Sequence, residues 1–231
     1  FMGSQEKAND WETVYKFIQR ANKAVLAQLK LDGLTVVLHY NNGSLQTGVS
    51  RGDGEVGEDL THTVRTIKSV PKNIPFKGKL EVRMEGLIPY EEFERINETE
   101  DYSNPRNLAS GTLRQLDASI AEERNVRGIV FEFQAMEPEI VEFKTDSERL
   151  AFLQEQGFDV VESKRFEPTE DGMAELKAFI EDMETNTRKT LEYMIDGLII
   201  KFDDLDVRED LGSTNKYPKW SIAYKFLAQE A

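Results

Sequence analysis

The feature that most constrains the fold is an apolar hairpin, Ala24 to Tyr40, that is predicted to turn at Gly33. Its arms are rich in valine and leucine, which favour strands with at least one buried face. Lys30 and Asp32 nevertheless lie directly before the turn, in the sequence KLDG. A motif this short also occurs by chance. Lys30 is therefore a candidate nucleophile that needs support from the rest of the chain.

Composition limits the functions open to this chain. Its 231 residues are enough for one large domain with its own hydrophobic core. The absence of cysteine excludes disulfides and cysteine-ligated zinc, and no apolar run has membrane-spanning length. A cytoplasmic protein without a membrane anchor is expected. The net charge of −14 argues against a protein that binds DNA unaided, because phosphate contacts usually come from a basic surface.

Hydrophobic periodicity and turn residues predict an α+β domain. The predicted strands share apolar, β-branched sequences and cover 24–30, 34–40, 45–50, 79–87, 128–135, 159–163, 194–202 and 221–227. The predicted helices cover 89–96, 105–116, 147–156, 171–189 and a segment that ends near 22 after a cap at 9–10. Strands outnumber helices and hairpins dominate. One compact unit of antiparallel sheets flanked by helices is expected.

Three further apolar strands carry a charged residue. Lys201 lies in IDGLIIKFD, Lys225 in SIAYKFLA and Glu85 in EVRMEGLI. Each alone is most simply explained as a residue on the wet face of a sheet. Their joint occurrence with Lys30 favours a functional cluster instead. Nearby cations and partial burial disfavour the protonated form of an amine, whose ordinary pKa is ~10.4, and so free its lone pair for attack.

Such a cluster suits phosphoryl or nucleotidyl transfer. Negative charge develops on phosphate oxygens in these reactions, and fixed cations together with Mg²⁺ stabilise that charge. Lys201 and Lys225 are candidates for this role. Glu85 and Asp32 are candidates to accept hydrogen bonds from ribose hydroxyls or to hold Mg²⁺, more plausibly through water. The pattern predicts covalent attachment of a nucleotide to Lys30.

Five separated blocks resemble motifs of the adenylation, or nucleotidyltransferase, domain of NAD-dependent DNA ligases. KLDG at 30–33 resembles the motif around the adenylated lysine of that family. SRGDGEVGEDLTHTVRTI at 50–67 resembles RGDGxxGEDVTxNxRTI, and SNPRNLASGTLRQLD at 103–117 resembles NPRNxAAGxLRQLD. IDGLIIKFD at 195–203 resembles IDGVVIKV, and PKWSIAYKF at 218–226 resembles PRWAIAYKFP. ATP-dependent ligases and capping enzymes share the lysine motif but lack the RGDG and NPRN blocks.

The resemblance implies an activity in which a lysine is adenylated by NAD. By position, Lys30 matches the nucleophile that attacks the α-phosphate of NAD and expels nicotinamide mononucleotide. Lys201 matches a lysine that packs on adenine and reaches phosphate, and Lys225 matches the last phosphate-contacting lysine. Asp32 and Asp196 match acidic positions of the metal-dependent steps. NAD as the AMP donor and Mg²⁺ are the implied cofactors.

The same resemblance implies further contacts with the AMP half of NAD. Glu85 matches a ribose-binding glutamate, and Arg51 matches a residue that lines the nucleotide pocket. Gln28 and Leu29 precede the nucleophile at adenine-binding positions. Ser4 is a further pocket candidate if MGSQEKA at 2–8 is native and corresponds to the family segment MLSLxKA. Alternatively, the first four residues are an expression remnant.

The implied partner in later steps is nicked double-stranded DNA. Arg106, Arg114 and Arg188 match arginines that contact the nick, although eight residues on a helix surface would also place Arg106 and Arg114 on one face. The resemblance implies the ATP-grasp-like nucleotidyltransferase fold of the covalent ligase superfamily for the whole chain, residues 1–231, and a monomer is expected. A nicotinamide mononucleotide-binding domain and the OB-fold, zinc-binding, helix-hairpin-helix and BRCT regions have no counterpart here. The isolated chain is therefore expected to react poorly with NAD.

Three positions depart from the family pattern. Gln28 stands where a glutamate is usual, and EVRMEGLI has Met84 and Gly86 where EVRGEV has glycine and valine. A glutamine carbonyl still accepts a hydrogen bond from the adenine amine. Met84 is expected to add bulk beside the ribose. These departures leave two alternatives to an NAD-dependent ligase domain: a non-catalytic remnant that binds nucleotide or DNA ends, and an ATP-dependent polynucleotide ligase.

Overall fold

A computed structural model describes residues 5–51 and 57–227, which form two sheets flanked by helices. The strands of the five-stranded sheet are β1 (Glu6–Ala8), β2 (Val25–Leu31), β7 (Ser163–Phe166), β8 (Ile195–Phe202) and β9 (Ser221–Lys225). Their order is β1-β9-β8-β2-β7. The strands of the four-stranded sheet are β3 (Leu34–Asn41), β4 (Ser44–Ser50), β5 (Lys79–Leu87) and β6 (Arg127–Glu137). Their order is β4-β3-β5-β6. All neighbours are antiparallel except β1 and β9, which confirms the predicted α+β class.

Eight α-helices surround the sheets in the described ranges. They are α1 (Trp11–Gln19), α2 (Thr61–Val64), α3 (Tyr90–Ile96), α4 (Pro105–Leu113), α5 (Ala118–Glu123), α6 (Asp146–Glu155), α7 (Glu170–Thr185) and α8 (Leu205–Leu211). The Asp10 side chain caps α1 by accepting a hydrogen bond from the Thr13 backbone N–H, and Asn104 caps α4 in the same way. Both starts agree with the sequence prediction.

Several element bounds differ from the prediction. Helix α4 ends at Leu113 instead of residue 116, and α7 ends at Thr185 before a separate 3₁₀ turn, Thr187–Lys189. The strand predicted at 159–163 begins only at Ser163, because the ladder with β2 sets its position. Strand β1 and helices α2, α5 and α8 were not predicted. Each is too short to show a clear hydrophobic period.

The predicted hairpin from Ala24 to Tyr40 is wrong, although both of its strands exist. In the described chain β2 pairs with β7 and β8, whereas β3 pairs with β4 and β5. The chain therefore passes from one sheet to the other at Asp32 and Gly33 instead of folding back on itself. The hairpin signalled by Asn42-Gly43 does form between β3 and β4, with positive φ at both turn residues.

Each sheet buries one face in its own hydrophobic core. One core joins the five-stranded sheet to α1 and α7, and contains Leu29, Leu198 and Phe17. The other joins the four-stranded sheet to α4 and to the segment around Ile67 and Val70. Side chains alternate between the two faces of a strand, so the remaining faces are available for polar residues. The fold thereby frees one face of β2 for Lys30.

Gly33 lies where the chain crosses between the sheets and leaves no room for a side chain. A Cβ atom at this position would stand 2.1 Å from the Gly86 carbonyl oxygen and 2.9 Å from Leu87 Cδ2. The first contact is with the backbone of β5. Because β5 is a central strand, its backbone cannot shift without moving the sheet. Glycine is thus required by close approach, and the Asp-Gly pair marks the crossing.

Replacing Gly33 with alanine should lower the free energy of unfolding by about 1–3 kcal/mol, because overpacking displaces strand backbone. Urea denaturation followed by circular dichroism measures this change. The matched control is Gly111→Ala on α4, where the nearest atom to a new Cβ is Tyr102 Cε1 at 3.3 Å. This control should cost less than Gly33→Ala, because a ring shifts more easily than a strand. Equal stability of the two variants would contradict the close-approach argument.

Candidate active site

The five-stranded sheet brings four of the predicted site residues to one face. In the ladder, Lys30 lies opposite Gly197, which lies opposite Lys225 in turn. Lys201 lies opposite Leu26, a residue of β2, which is the strand that also carries Lys30. Directly opposed residues share a face, and so do residues two apart on one strand. Gln28, Lys30, Lys201 and Lys225 therefore project from the face that is turned away from the core.

Lys30 is paired with a carboxylate. Its Nζ lies 3.0 Å from both side-chain oxygens of Asp196, and both side chains are partly buried. A ladder irregularity beside Lys30 brings Asp196 close, because β2 and β8 slip by one residue there. The direct ionic contact of Lys30 is therefore with an anion, while Lys225 and Lys201 share its sheet face at other ladder positions.

Glu85 accepts hydrogen bonds from the segment where the chain passes from one sheet to the other. Its Oε2 accepts a hydrogen bond from the Gly33 backbone N–H at 2.9 Å, and its Oε1 accepts one from Thr35 Oγ1 at 2.7 Å. Burial raises the pKa of this carboxyl to about 7, although the two hydrogen bonds favour its charged form. Each oxygen retains a lone pair that is able to accept from a ligand hydroxyl.

Asp32 interacts with an arginine of α4 and with Lys30. Its carboxylate is 3.5 Å from Arg106 Nε, and its backbone N–H donates to the Met194 carbonyl at 3.1 Å. Burial raises the pKa of Asp32 above its ordinary value, and the charge of Asp196 adds to this rise while Arg106 and Lys30 oppose it. Asp32 thus joins Asp196 in an anionic pair beside Lys30.

Gln28 presents an unsatisfied acceptor on the same face. Its side chain is only 3% exposed, and its Nε2 donates to the Phe131 carbonyl at 3.4 Å. Its Oε1 is buried without a hydrogen-bond partner among the described residues. Buried acceptors normally have a partner, so this oxygen fits a ligand that brings a donor. The Leu29 side chain, by contrast, packs in the core on the opposite face, and only its backbone lies at the site.

The remaining predicted residues lie around this face or outside the described ranges. The Arg51 backbone N–H donates to the Thr35 carbonyl at 3.0 Å, which sets Arg51 beside β3, the neighbour of the strand that carries Glu85. Burial, and then the charge of Arg83, lowers the pKa of the Arg51 guanidinium. Ser4 lies outside the described residues.

Two of the three arginines predicted to contact DNA pair with groups other than the carboxylates beside Lys30. Arg114 Nε lies 3.0 Å from Glu58 Oε1. Arg188 donates from Nη2 to the Leu227 carbonyl at 2.8 Å, and its guanidinium lies 5.1 Å from the Phe226 ring centroid. Arg188 therefore holds the chain segment that follows β9. Only Arg106 reaches the carboxylates of the site.

Lys201 has partners that the sequence analysis did not identify. Its Nζ lies 2.7 Å from Asp146 Oδ2, and Arg208 Nη2 lies 3.3 Å from the same oxygen. Burial alone would raise the pKa of Asp146, but the two cations outweigh it and lower the pKa to about 2. Asp146 looks in the sequence like an ordinary acidic residue in the first turn of a helix. No local signal distinguishes it.

The described residues contain no group of three or more histidine, cysteine, aspartate or glutamate side chains suited to hold a metal ion. Mg²⁺ is usually bound by one or two protein carboxylates, with waters and substrate phosphates as the other ligands. The Asp32–Asp196 pair fits this requirement. In the described ranges, no helix combines the length and the apolar character needed to cross a membrane.

Comparison with known proteins decides the family. The family model for the NAD-dependent DNA ligase adenylation domain matches residues 2–229. The chain belongs to this family. It is 40% identical over 227 residues to a DNA ligase of Clostridium kluyveri strain ATCC 8527, which covers 93% of this chain and 33% of the relative. A DNA ligase of Bacillus mycoides strain KBAB4 is 39% identical over 223 residues, with 94% and 32% covered. The chain thus spans about a third of the length of these relatives.

Solved structures support the fold independently of sequence. A putative ATP-dependent DNA ligase from Aquifex aeolicus has a TM-score of 0.53 at 14% identity and matches 97% of this chain and 50% of its own. An archaeal ATP-dependent RNA ligase has a TM-score of 0.54 at 14% identity, with 96% and 47% covered. At this identity the likeness shows the fold alone, which the chain shares with these two ligases.

The departures from the family pattern at Met84 and Gly86 affect the core and not the ribose site. Met84 is fully buried in the core of the four-stranded sheet, on the face of β5 opposite to Glu85. The expected crowding of the ribose by Met84 is therefore wrong, because adjacent strand residues point to opposite faces. A Cβ at Gly86 would stand 2.5 Å from Leu113 Cδ1, so the leucine of α4 occupies that space.

The buried carboxyl of Glu85 predicts a pH-dependent stability. Its pKa is about 7 in the folded chain and near the ordinary value of 4.5 in the unfolded chain. Between these values the folded state binds more protons, so this residue contributes stability below about pH 4.5 that is lost as the pH rises through 7. Relative to Glu85→Gln, the unaltered chain should lose on the order of 3 kcal/mol across this window.

Urea titrations at several pH values measure the difference between the two chains. Glu94→Gln serves as the control, because Glu94 is exposed on α3. Its difference from the unaltered chain should not vary with pH. A difference for Glu85→Gln that is constant from pH 4.5 to pH 7 would contradict the assignment.

Proposed function

We propose that Lys30 accepts AMP from NAD and that the full-length protein passes this AMP to the 5′-phosphate of nicked DNA before sealing the nick. The family assignment supports NAD-dependent DNA ligation. The observation that carries the role of Lys30 is its position, partly exposed, on the sheet face opposite to the core and 3.0 Å from both oxygens of Asp196. Gln28 and Glu85 flank it with acceptors suited to adenine and ribose.

The first step forms one bond and breaks another at the α-phosphorus. The Lys30 amine attacks phosphorus, and the bond from phosphorus to the bridging oxygen breaks, so that nicotinamide mononucleotide leaves with that oxygen. The product is a phosphoramidate between Lys30 and AMP. The amine must lose a proton, and Asp196 is the group within hydrogen-bond reach to receive it.

The nucleotide is oriented by groups on both sheets. The unpartnered Oε1 of Gln28 accepts from the exocyclic amine of adenine, while Nε2 stays on the Phe131 carbonyl. Glu85 accepts from a ribose hydroxyl with its remaining lone pairs. Lys225 and Lys201 supply positive charge for the phosphate oxygens. Mg²⁺, held by Asp32 and Asp196 through water, would neutralise further phosphate charge.

The DNA steps use the arginines around the site. Arg106, Arg114 and Arg188 are proposed to contact the phosphates of the nick. Arg106 is the best placed, because it already lies 3.5 Å from Asp32 at the site. In the second step a 5′-phosphate oxygen attacks the phosphorus of the adduct and Lys30 leaves. In the third step the 3′-hydroxyl attacks the activated 5′-phosphate and AMP leaves. The protein is proposed to act as a cytoplasmic monomer.

The adduct on Lys30 is tested by mass spectrometry. Full-length protein incubated with NAD and Mg²⁺ should gain the mass of one AMP residue at Lys30, and Lys30→Ala should abolish this gain. Lys23→Ala is the matched control, because Lys23 is an exposed lysine just before β2. An adduct that persists in Lys30→Ala would refute the nucleophile. Nucleotide binding without any adduct would favour a non-catalytic remnant, and an adduct formed from ATP but not NAD would favour an ATP-dependent ligase.

The role of Gln28 is tested by comparing the affinities of two purine nucleotides, AMP and IMP. Gln28→Leu should weaken AMP binding by about tenfold, since a hydrogen bond to a buried acceptor is worth roughly 1–2 kcal/mol. Binding of IMP, whose 6-oxygen offers no donor, should change little. Isothermal titration calorimetry of the chain with each nucleotide measures both values. Equal loss of AMP and IMP affinity would show that Gln28 supports the pocket without reading the base.

A further inference from the structure

Lys201 is held by a buried cluster of two cations and one carboxylate. Asp146 and Lys201 are each no more than 5% exposed, and their charged atoms are 2.7 Å apart. Arg208 contacts the same Asp146 oxygen at 3.3 Å. The cluster formally carries one surplus positive charge. In a buried site such a surplus attracts an anion strongly, because little water is present to screen it.

Arg208 is held in place independently of Asp146. Its Nε donates to the Phe202 carbonyl at 2.7 Å, and its guanidinium lies 4.4 Å from the Trp220 ring centroid. Lys201, by contrast, has Asp146 as its ion-pair partner within the described chain, at the end of a flexible side chain. Of the two cations, Lys201 is therefore the one that is able to leave the carboxylate for a ligand.

The cluster draws Lys201 away from the nucleophile. Lys201 lies opposite Leu26, four residues before Lys30 on β2, which corresponds to a distance of roughly 13 Å along the strand. Asp146 is fixed beyond Lys201 in the same direction, because its backbone N–H donates to the Asp203 carbonyl at 2.9 Å. The side chain thus points toward the end of β8 that is more distant from Lys30.

We propose that Asp146 is an internal competitor for Lys201, a positioning residue that holds this lysine until the phosphate of a nucleotide displaces it. This inference rests on the proposed function, in which Lys201 reaches the nucleotide phosphate. When AMP binds, the Lys201 ammonium moves from the Asp146 carboxylate to the phosphate, and Arg208 continues to neutralise Asp146. The free energy needed to break the Lys201–Asp146 pair therefore offsets part of the free energy gained when the phosphate binds.

The test compares adenosine with AMP, which differ by the phosphate. Calorimetric titration of the chain gives the ratio of the adenosine to the AMP dissociation constant for each variant. Asp146→Asn keeps the shape of the side chain but removes its charge, and should raise this ratio about tenfold. Glu148→Gln is the matched control, because it removes one negative charge from the exposed side of the same helix. It should leave the ratio unchanged.

The Lys201→Met background shows whether the effect runs through Lys201. Lys201→Met alone should lower the ratio, and adding Asp146→Asn to it should no longer raise the ratio. An unchanged or lower ratio in Asp146→Asn, or a rise that persists without Lys201, would overturn the inference. If the unaltered chain does not prefer AMP and Lys201→Met has no effect, the phosphate role of Lys201 in the proposed function fails as well.

A measurement on the unaltered chain covers the case in which Asp146→Asn does not fold. Lysine labelled with ¹³C at Cε gives a resonance for Lys201 that is assigned by its loss in Lys201→Arg. AMP should shift this resonance well beyond any shift caused by adenosine, because only AMP carries the phosphate that draws Lys201 from Asp146. A Lys201 resonance that does not respond to AMP at saturation would overturn the inference.

Discussion

The structure depends on how Glu85 holds the crossing between the two sheets. One carboxylate of the four-stranded sheet accepts from the Gly33 backbone and from Thr35, on both sides of the point where the chain leaves the other sheet. The close approach of Gly33 to the Gly86 carbonyl leaves no room for a side chain at position 33. Lys30 precedes Gly33 by three residues, so the hydrogen bonds that join the sheets also fix the strand that carries Lys30.

Carboxylates lie directly beside two lysines of the candidate site. Lys30 is paired with Asp196, and Lys201 with Asp146. Buried cations need such partners, because an uncompensated charge is costly to bury. A phosphate is therefore required to compete with groups of the protein itself. The local balance of charge at the site, more than the net charge of −14, decides whether an anion binds.

Sequence reasoning succeeded where the signal was local or carried by family motifs, and failed where partners were distant. The apolar runs of β2 and β5 correctly predict strands, and Asp10 and Pro105 correctly predict helix starts. Local sequence also predicted a hairpin at Gly33, where the chain in fact crosses from one sheet to the other. It could not show that Met84 points away from Glu85 into a core. Nor could it find Asp146, which is 55 residues before Lys201 in the chain and meets it only through packing.

The sequence by itself determined the α+β class, the family and the set of residues with chemical potential, because these depend on periodicity and on motif order. Only the tertiary structure decided how those residues meet. It placed Lys30, Gln28, Lys201 and Lys225 on one face through the ladders of β2, β8 and β9. It also gave Lys30, Lys201 and Glu85 their partners. Electrostatic energy depends on distances and burial that a linear sequence does not contain.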